Sequence, residues 1–387
     1  MTTGSDPSVP AGGAADAGRV SAEARRFHCA TCGATLVFVP GTSTIACPYC
    51  GAANAIESAK EGAEVVVHEQ DFDEAIARLE AEGETEEHLD VRCDACGAEV
   101  HGLGVTTSFS CPYCGANIVA TARSRRLIKP GGVIPFKIDG REAGRLFGAW
   151  LKSLWFAPSE IRRAARTDHP PRGVYIPAWT IDCEAETTFT GQRGDAYYVT
   201  VPYTTTVNGR RVTRTRQERR IRWSSVSGRV ENMFDDLLVI ATRSLPEELL
   251  EELEPWELRE VKPYVDAYLT GFAAESYQVD LRGAFEDARR QSVGPIQATI
   301  RARIGGDEQR ITSMHPRYSR VTYKHLLLPV WMSAYRYRGK VYRFVVNART
   351  GEVRGERPYS AWKIAGAVLL GLAAAGVIAL VIAATRG

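Results

Sequence analysis

The sequence lacks the short motifs that mark the common enzyme classes. There is no GxxxxGK[ST] loop, no GxSxG and no HExxH, so the signatures of nucleotide hydrolases, serine hydrolases and zinc proteases are all missing. Asp168 and His169 are adjacent, but they lie in a proline-flanked TDHPP segment that is typical of a loop. Cys183, in the strand-like WTIDCEAE, is interpreted as a packed residue and not as a nucleophile. We therefore expect no catalytic residues and no enzymatic activity.

An export signal and a large net charge are also missing. The first residues (MTTGSDPSVPAGGAADAG) are small and polar, so we predict a disordered tail over residues 1–24 and no secretion. The formal net charge is only +2, but it is unevenly distributed. The segment from Glu57 to Asp90 contains thirteen acidic and two basic residues, a net charge of −11. Such asymmetry bears on partners more than on the fold.

Eight of the nine cysteines fall into two clusters with the same spacing. Each cluster reads C-x2-C-x14-C-x2-C, and each member of the second follows its counterpart by 64 residues. CPYCGA closes both clusters, which indicates a duplicated module. We predict two zinc ribbons, at residues 25–56 and 91–120. Their predicted ligands are Cys29, Cys32, Cys47, Cys50, Cys93, Cys96, Cys111 and Cys114.

Four thiolates leave no open position for a substrate, so two structural Zn²⁺ ions are expected. Each module is short and has almost no apolar core, so the metal supplies most of its folding free energy. Rubredoxin-like iron is the alternative metal, and disulfides are disfavoured in a reducing cytosol. Because the acidic segment lies between the ribbons, we expect the ribbons to contact proteins, with nucleic acid disfavoured.

The acidic linker, residues 57–90, has an amphipathic pattern. Phe72, Ile76 and Leu79 recur at helical spacing, which predicts a short helix. That helix is either a docking helix or a solvated spacer, and the spacer is the favoured interpretation. A basic connector at 121–132 then leads to the next domain.

Residues 133–358 read as one α+β domain. VIPFKI predicts a strand, and Glu142 to Trp155 an amphipathic helix. TTTVNGRRVTRT predicts a hairpin that turns at Asn208 and Gly209. Helices are expected from Pro246 to about Ile304, with further strands after them. The predicted fold class is thus α+β, with two small four-cysteine zinc ribbons, a mixed central domain and one C-terminal transmembrane helix.

That transmembrane helix is predicted at residues 362–385. From Ile364 to Ala384 there is no charged or polar side chain. Twenty-one helical residues cover roughly 31 Å, which matches a bilayer core of about 30 Å. Basic residues before the helix predict a single-pass protein of the inner membrane with its bulk in the cytoplasm. A small-residue stripe (Ala367, Gly371, Ala375) is compatible with a homodimer, although alanine-rich helices also produce it by chance.

An arginine-rich segment is the feature of the central domain that most needs an explanation. The segment 210–222 contains seven arginines and one acid, Glu218. The arginines are Arg210, Arg211, Arg214, Arg216, Arg219, Arg220 and Arg222. One interpretation is a solubilising hairpin, and another is attraction to anionic lipid headgroups, worth about 1 kcal/mol per basic residue near the surface. Nucleic acid is the third, and no aromatic residue alternates with these arginines along the segment, as single-strand binding would favour.

Several longer strings carry a family resemblance. They include CPYCGA at both ribbons, VIPFKID, GVYIPAWTID, GFAAESYQVDL, IGGDEQRI, YKHLLLPVW and NARTGEVRGERPYS. With them the chain resembles the bacterial TFIIB-type zinc-ribbon membrane proteins over nearly its whole length after the tail. NART stands where many relatives read NGxT, and an asparagine-led turn is retained.

Relatives of this family often carry a primosomal or superfamily II helicase label, yet this chain lacks the nucleotide loop that a helicase requires. The resemblance implies association with membrane-stress systems, including phage-shock-protein-A-like and SPFH-domain partners. We therefore expect a tail-anchored adaptor that recruits cytosolic proteins to the inner membrane. The alternative is a membrane-tethered nucleic-acid factor of replication or transcription.

Overall fold

A computed structural model of the chain describes residues 27–56, 67–81, 86–92, 99–101, 108–110, 117–119, 123–158, 160–161, 171–207, 210–338 and 340–386. The predicted tail at 1–24 and the four predicted ligands of the second ribbon lie outside the described residues. So do Asp168 and His169 of the TDHPP segment and the Asn-Gly pair at 208–209.

The described elements are mixed, in agreement with the predicted α+β class. The helices are α1 (Phe72–Ala81), α2 (Gly140–Ser153), α3 (Glu247–Glu251), α4 (Leu281–Ile304) and α5 (Ala361–Arg386). The strands before α2 are β1 (Val37–Phe38), β2 (Thr44–Ala46), β3 (Ala53–Ala55), β4 (Gln70–Asp71), β5 (Glu86–Arg92), β6 (Glu99–His101), β7 (Ser108–Ser110), β8 (Asn117–Val119), β9 (Arg123–Leu127) and β10 (Gly132–Val133). Those after it are β11 (Arg172–Val207), β12 (Arg210–Ile240), β13 (Lys262–Pro263), β14 (Ala273–Glu275), β15 (Glu308–Tyr337), β16 (Lys340–Asn347) and β17 (Val353–Gly355).

Three very long antiparallel strands organise the central domain. Strand β11 lies between β12 and β15. Its pairing with β15 runs from Arg172 opposite Met332 to Gly194 opposite Glu308. Its pairing with β12 continues further, to Val207 opposite Arg210. The last part of this hairpin is therefore two-stranded.

Helix α4 covers one face of these strands. The side chain of Asp280 accepts a hydrogen bond from the N–H of Gly283 and so begins the helix, as an N-cap residue does. Ile296, Ile300 and Ile304 are fully or almost fully buried against Phe189 and Val230 of the sheet. Burial of one such aliphatic side chain contributes roughly 1.5–3 kcal/mol.

Aromatic side chains fill the core at the other end of the long strands. The ring of Phe136 stacks on Phe272 at a centroid distance of 4.1 Å and meets Trp331 edge-on at 5.2 Å. Trp331 donates its indole N–H to the carbonyl of Ile138. Helix α2 confirms the predicted amphipathic helix, although it begins and ends slightly earlier in the chain, and it packs its Phe147 on Phe344 beside this core.

Two local predictions differ from the structure. VIPFKI was predicted to form a strand, but of its residues only Val133 belongs to one, strand β10. The strand ends early because Pro135 has no N–H to donate to a neighbouring strand. The region from Pro246 to Ile304 is not mainly helical in its first half, which holds short helical turns and strands β13 and β14. Its long helix, α4, begins only at Leu281.

Helix α5 is long and apolar enough to cross a membrane. Its Ala361–Ala379 window has a mean hydropathy of 1.9, and none of that window is buried inside the protein. A helix without any buried face is not a core helix of a soluble domain. Among the described residues it is the one helix with this property.

Candidate functional site

Four cysteine sulfurs meet at one point of segment 27–56, the segment predicted as the first ribbon and called so below. Sγ of Cys29 lies 3.4 Å from Sγ of Cys50, and Sγ of Cys32 lies 3.5 Å from Sγ of Cys47. All four sulfurs lie within 4.8 Å of one another, and none is in a disulfide. Thiolates bound tetrahedrally to one ion at about 2.3 Å would be roughly 3.8 Å apart. The four side chains predicted from the sequence are therefore brought together and could hold a metal ion.

Two matching backbone turns, or knuckles, create this arrangement. The N–H of Gly33 donates to the carbonyl of Cys29, and the N–H of Gly51 donates to the carbonyl of Cys47. Both glycines have positive φ, +75° and +74°, a conformation that glycine adopts without strain. Each CxxC pair thus turns its two sulfurs to the same side.

Backbone N–H groups of the knuckles also favour thiolates. The N–H groups of Cys32 and Thr31 lower the pKa of Cys29 to about 6, and that of Cys50 lowers the pKa of Cys47. Cys50 behaves differently: the N–H of Ala52 would lower its pKa, but the adjacent Cys29 and Cys47 sulfurs raise it to about 12. Four adjacent thiolates therefore need a cation to neutralise them.

The first ribbon is not a free module, because it packs on the central domain. Phe38 lies against Tyr268 at a centroid distance of 5.4 Å, and its N–H donates to the carbonyl of Thr270. The N–H of Gly41 donates to the carbonyl of Phe136. Leu36, Cys29 and Cys47 belong to the same buried cluster as the aromatic core of the domain.

The second ribbon, predicted at residues 91–120, stays a prediction, because its four cysteines lie outside the described residues. The strands in and beside that segment can be placed. Strand β6 pairs with β14 of the central domain, opposite Ala274 and Glu275. Strand β5 then pairs with β6 and β9, and β7 pairs with β8. Strands β6, β5 and β9 thus extend the large sheet of the central domain.

The linker helix is present but is not a solvated spacer. Ala75 of α1 is buried, and the ring of Phe72 packs on Phe285 of α4 at 4.9 Å. Before the helix, β4 pairs with β15. Glu80 forms an ion pair with Arg282. The predicted helix therefore docks on the central domain of its own chain.

A partly buried charge cluster holds this linker in place. Nζ of Lys324 lies 3.0 Å from Asp236, 3.2 Å from Glu69 of the linker and 3.6 Å from Asp182. Asp235 and Asp236 form a bulge in β12, because both lie opposite the single residue Asp182 of β11. The N–H of Asp236 donates to the Asp182 carboxylate. Although Asp182, Asp235 and Asp236 could hold a metal ion, the Lys324 ammonium already supplies a cation there.

Replacing Lys324 by Met is expected to destabilise the protein by about 2 kcal/mol near pH 8, because it leaves partly buried carboxylates without their cation. Burial raises the pKa of Asp182 to about 6 against an N–H bond that opposes it. A carboxyl whose pKa is raised on folding stabilises the folded form when protonated. The deficit of the variant should therefore shrink as the pH falls below about 6.

Thermal unfolding of the detergent-solubilised chain at pH 8 and pH 5.5 measures this effect. The exposed Lys340→Met is the matched control and should leave the midpoint unchanged at both values. A deficit that grows as the pH falls would contradict the assigned role of Asp182.

A polar groove of about 470 Å³ lies beside this cluster, between α1 and β15. Its polar side chains have structural partners. Glu69 accepts from Thr322, Gln70 accepts from the Tyr323 hydroxyl, and Asp71 caps α1 through the N–H of Glu74. Cys183 is buried, and burial raises its pKa to about 11, which keeps the thiol protonated and unreactive.

The seven predicted arginines all lie on a two-stranded arm. The arm, defined as residues 195–207 and 210–222, is the part of the β11–β12 hairpin beyond the last residue pair with β15. Helix α4 ends at Ile304 and so does not cover it. Seven arginines against Asp195 and Glu218 give the arm a net charge of +5 (7 − 2).

The register of the arm assigns five arginines to one face. Directly opposed residues of antiparallel strands share a face, and alternate residues do too. One face, here called the arginine–tyrosine face, carries Arg210, Arg214, Arg216, Arg220 and Arg222 with Tyr197, Val199, Val201, Tyr203 and Val212. Both acids of the arm, Asp195 and Glu218, lie on this face too, so its net charge is +3 (5 − 2). It continues the sheet face on which α4 packs through Phe189 and Val230.

Aromatic residues accompany these arginines, in contrast to the sequence-based expectation. The guanidinium of Arg222 lies 5.3 Å from the ring centre of Tyr197, and that of Arg216 lies 6.0 Å from Tyr203. Tyr198, on the opposite face, is 65% exposed. The tyrosines come from β11 and the arginines from β12, so the pattern becomes visible only when the register is known.

The arm lies far along the strands from α5. Strand β11 extends from Arg172 to Asp195 before the arm begins, up to roughly 75 Å at about 3.3 Å per residue. Helix α5 follows β17 in the chain. Strand β17 pairs with β16, and β16 pairs with the part of β15 that lies beside Arg172. Attraction to a charged leaflet falls off within a Debye length of about 8 Å. The position of the arm therefore favours a partner away from the membrane surface.

The junction between the arm and the domain is built of specific contacts. Arg219 forms an ion pair with Glu308 at 2.8 Å, and the N–H of Ala196 donates to the carboxylate of Asp307. Arg310 stacks on Trp223 at 3.9 Å. These contacts fix the direction of the arm relative to the end of α4.

Comparison with known proteins places the chain beside one curated relative. It is 27% identical over 346 residues to the uncharacterized protein YdjG of Bacillus subtilis (strain 168). The aligned region covers 88% of this chain and 92% of the relative. No protein-family model matches the chain. No solved structure matches it either. The similarity thus extends over most of both chains but names no activity.

Proposed function

We propose that this chain is a membrane-anchored, non-enzymatic adaptor that uses its arm to hold an acidic cytosolic protein near the inner membrane. The single observation that carries the proposal is the arginine–tyrosine face. It projects beyond α4, carries most of the charge of the arm and lies at the far end of the long strands from α5. A binding element at one end and an apolar helix at the other suit a tether.

In this proposal both ribbons carry structural Zn²⁺, and neither is the main docking surface. The first ribbon supports the choice of zinc because its four sulfurs form a closed thiolate set without an open position. Its packing on Tyr268 and Phe136 gives the metal a structural task, since the ribbon completes one wall of the core.

The kind of partner follows from the chemistry of the face. Beyond the end of α4 this face carries apolar Val199 and Val201 on β11 and Val212 on β12, and its arginines all come from β12. An amphipathic helix with acidic flanks would continue the packing of α4 and neutralise those arginines. Phage-shock-protein-A-like and SPFH-domain proteins are the partners that the family resemblance proposes.

Reversal of Arg214, Arg216 and Arg220 to Glu is expected to weaken partner binding roughly 100-fold, or about 2.7 kcal/mol. Each reversal replaces an attraction with a repulsion of about the same size. The readout is photo-crosslinking of the full-length protein in cells, from a benzophenone amino acid placed at Tyr203. A nuclease-resistant protein adduct should form and should disappear in the triple variant.

A variant with Arg141, Arg243 and Arg259 changed to Glu is the matched control. These arginines are exposed, lie outside the arm and change the net charge by the same amount. Adducts that persist in the arm variant, or that vanish equally in the control, would contradict docking on the arginine–tyrosine face.

Nucleic acid is the second candidate, and the shape of the arm favours it. A two-stranded ribbon fits the major groove of B-DNA, and the tyrosines supply stacking surfaces. Such binding would give nuclease-sensitive adducts and an affinity that falls steeply with salt. The acidic linker opposes it, because segment 67–81 lies on the domain that carries the arm.

A further inference from the structure

Two large aromatic side chains are exposed beside the first turn of α5. Trp155 is 75% exposed and Phe156 is 40% exposed, in the loop that follows α2. Tyr359 and Trp362, at the start of α5, are 60% and 89% exposed. Exposed single aromatic residues are common, but four at one end of an apolar helix form a patch that needs a ligand.

The loop with Trp155 and Phe156 is fixed by its neighbours. Leu154 and Ala157 on either side are buried in the core cluster, and the N–H of Ala157 donates to the carbonyl of Leu154. Because the flanking residues point inward, the two aromatic side chains between them point outward. Their exposure is thus a consequence of the packing of the loop.

Direct hydrogen bonds join this loop to the helix. The N–H of Ser360 donates to the carbonyl of Phe156 at 2.8 Å. Nζ of Lys363 donates to the carbonyl of Ala157, also at 2.8 Å. The loop therefore lies at the level where α5 would enter a bilayer, and it cannot move away from that level without breaking both bonds.

We propose that Trp155 and Phe156 insert into the headgroup region of the membrane, together with Tyr359 and Trp362. This inference rests on the proposed anchoring by α5 and adds a second membrane contact, made by the folded domain itself. Tryptophan and tyrosine favour this region because one end of the ring is apolar and the other is polar. Arg357, whose guanidinium lies 5.5 Å from the Tyr359 ring centre, would meet lipid phosphates there.

The consequence is a defined orientation of the domain. A single helix with a flexible joint would let the domain tilt freely, whereas two contacts at the same depth restrict that tilt. Since the long strands start near this loop, the arm would then be held at a set distance from the membrane surface.

Depth-dependent fluorescence quenching tests this proposal on the full-length protein. The protein is reconstituted in vesicles of phosphatidylcholine and phosphatidylglycerol that contain lipids brominated at either shallow or deep acyl positions. The emission lost in Trp155→Phe is the contribution of Trp155. We expect the shallow bromines to quench more than half of that contribution, and the deep bromines clearly less.

Two further measurements separate the possible failures. Trp223→Phe, at the junction between the arm and the domain, is the control, and the emission that it removes should be insensitive to both bromolipids. Flotation of the vesicles reports anchoring by α5 independently of Trp155. If the protein floats but the Trp155 emission is quenched by aqueous iodide and not by bromolipid, the loop does not insert and the proposal is overturned. If the protein does not float, the anchoring itself fails.

Discussion

Replacement of Cys29 and Cys47 by Ser is expected to lower the zinc content of the purified full-length protein from two ions per chain to one. Each of these buried residues comes from a different CxxC turn, so the double variant dismantles both halves of the first site. Zinc binding to such small modules is worth roughly 10–16 kcal/mol, which is as large as the whole stability of a typical domain.

The loss should reach beyond the ribbon. Phe38 packs on Tyr268, and Gly41 bonds to the carbonyl of Phe136, so an unfolded ribbon would expose one wall of the central core. We expect faster hydrogen exchange over residues 27–56 and also around Tyr268. Metal analysis and hydrogen-exchange mass spectrometry measure the two effects together.

Cys183→Ser is the matched control. Cys183 is buried like the ligands but lies in β11, away from the cluster, so its variant should retain two zinc ions. Unchanged metal content in the Cys29/Cys47 variant would contradict the assignment of a zinc site to the first ribbon. Iron in place of zinc would support the rubredoxin-like alternative.

The parts of the architecture that depend on local chemistry could be predicted from the sequence. Cysteine spacing placed Cys29 and Cys50 around one point, and apolar length placed α5, because each signal needs only neighbouring residues. The asparagine-led turn of NART is another example: the Asn347 side chain accepts from the N–H groups of Arg349 and Thr350. Such bonds join residues two or three positions apart, so a short stretch of sequence is enough to predict them.

What could not be predicted depends on contacts between distant residues. The point at which the arm begins is decided by the pairing of Gly194 with Glu308, which are more than 100 residues apart in the chain, and no pattern within either strand predicts it. The docking of the linker is similar, because Lys324 meets Glu69 across more than 250 residues of chain. An acidic helix looks solvated until the surface that receives it is known.

Two arginines in the middle of α5, at Leu370 and Leu372, are expected to abolish membrane association. The ten Ile, Leu and Val residues between Ile364 and Ala384 favour insertion by roughly 3–6 kcal/mol in total. Each Leu→Arg change costs about 3–4 kcal/mol at the centre of a span. Two changes therefore cancel the whole driving force, and the protein should move from the pellet to the soluble fraction after carbonate extraction.

The same two positions changed to Ile form the control, which preserves both length and hydropathy and should remain in the pellet. Carbonate extraction also distinguishes the two proposed membrane contacts, because interfacial aromatic side chains alone do not resist it. A double-arginine variant that is released by carbonate but still binds vesicles at neutral pH would retain a second membrane contact, and adding Trp155→Ala and Phe156→Ala should then abolish that binding. A variant that stays in the carbonate-resistant pellet would contradict α5 as the anchor, since no other described helix is long and apolar enough to replace it.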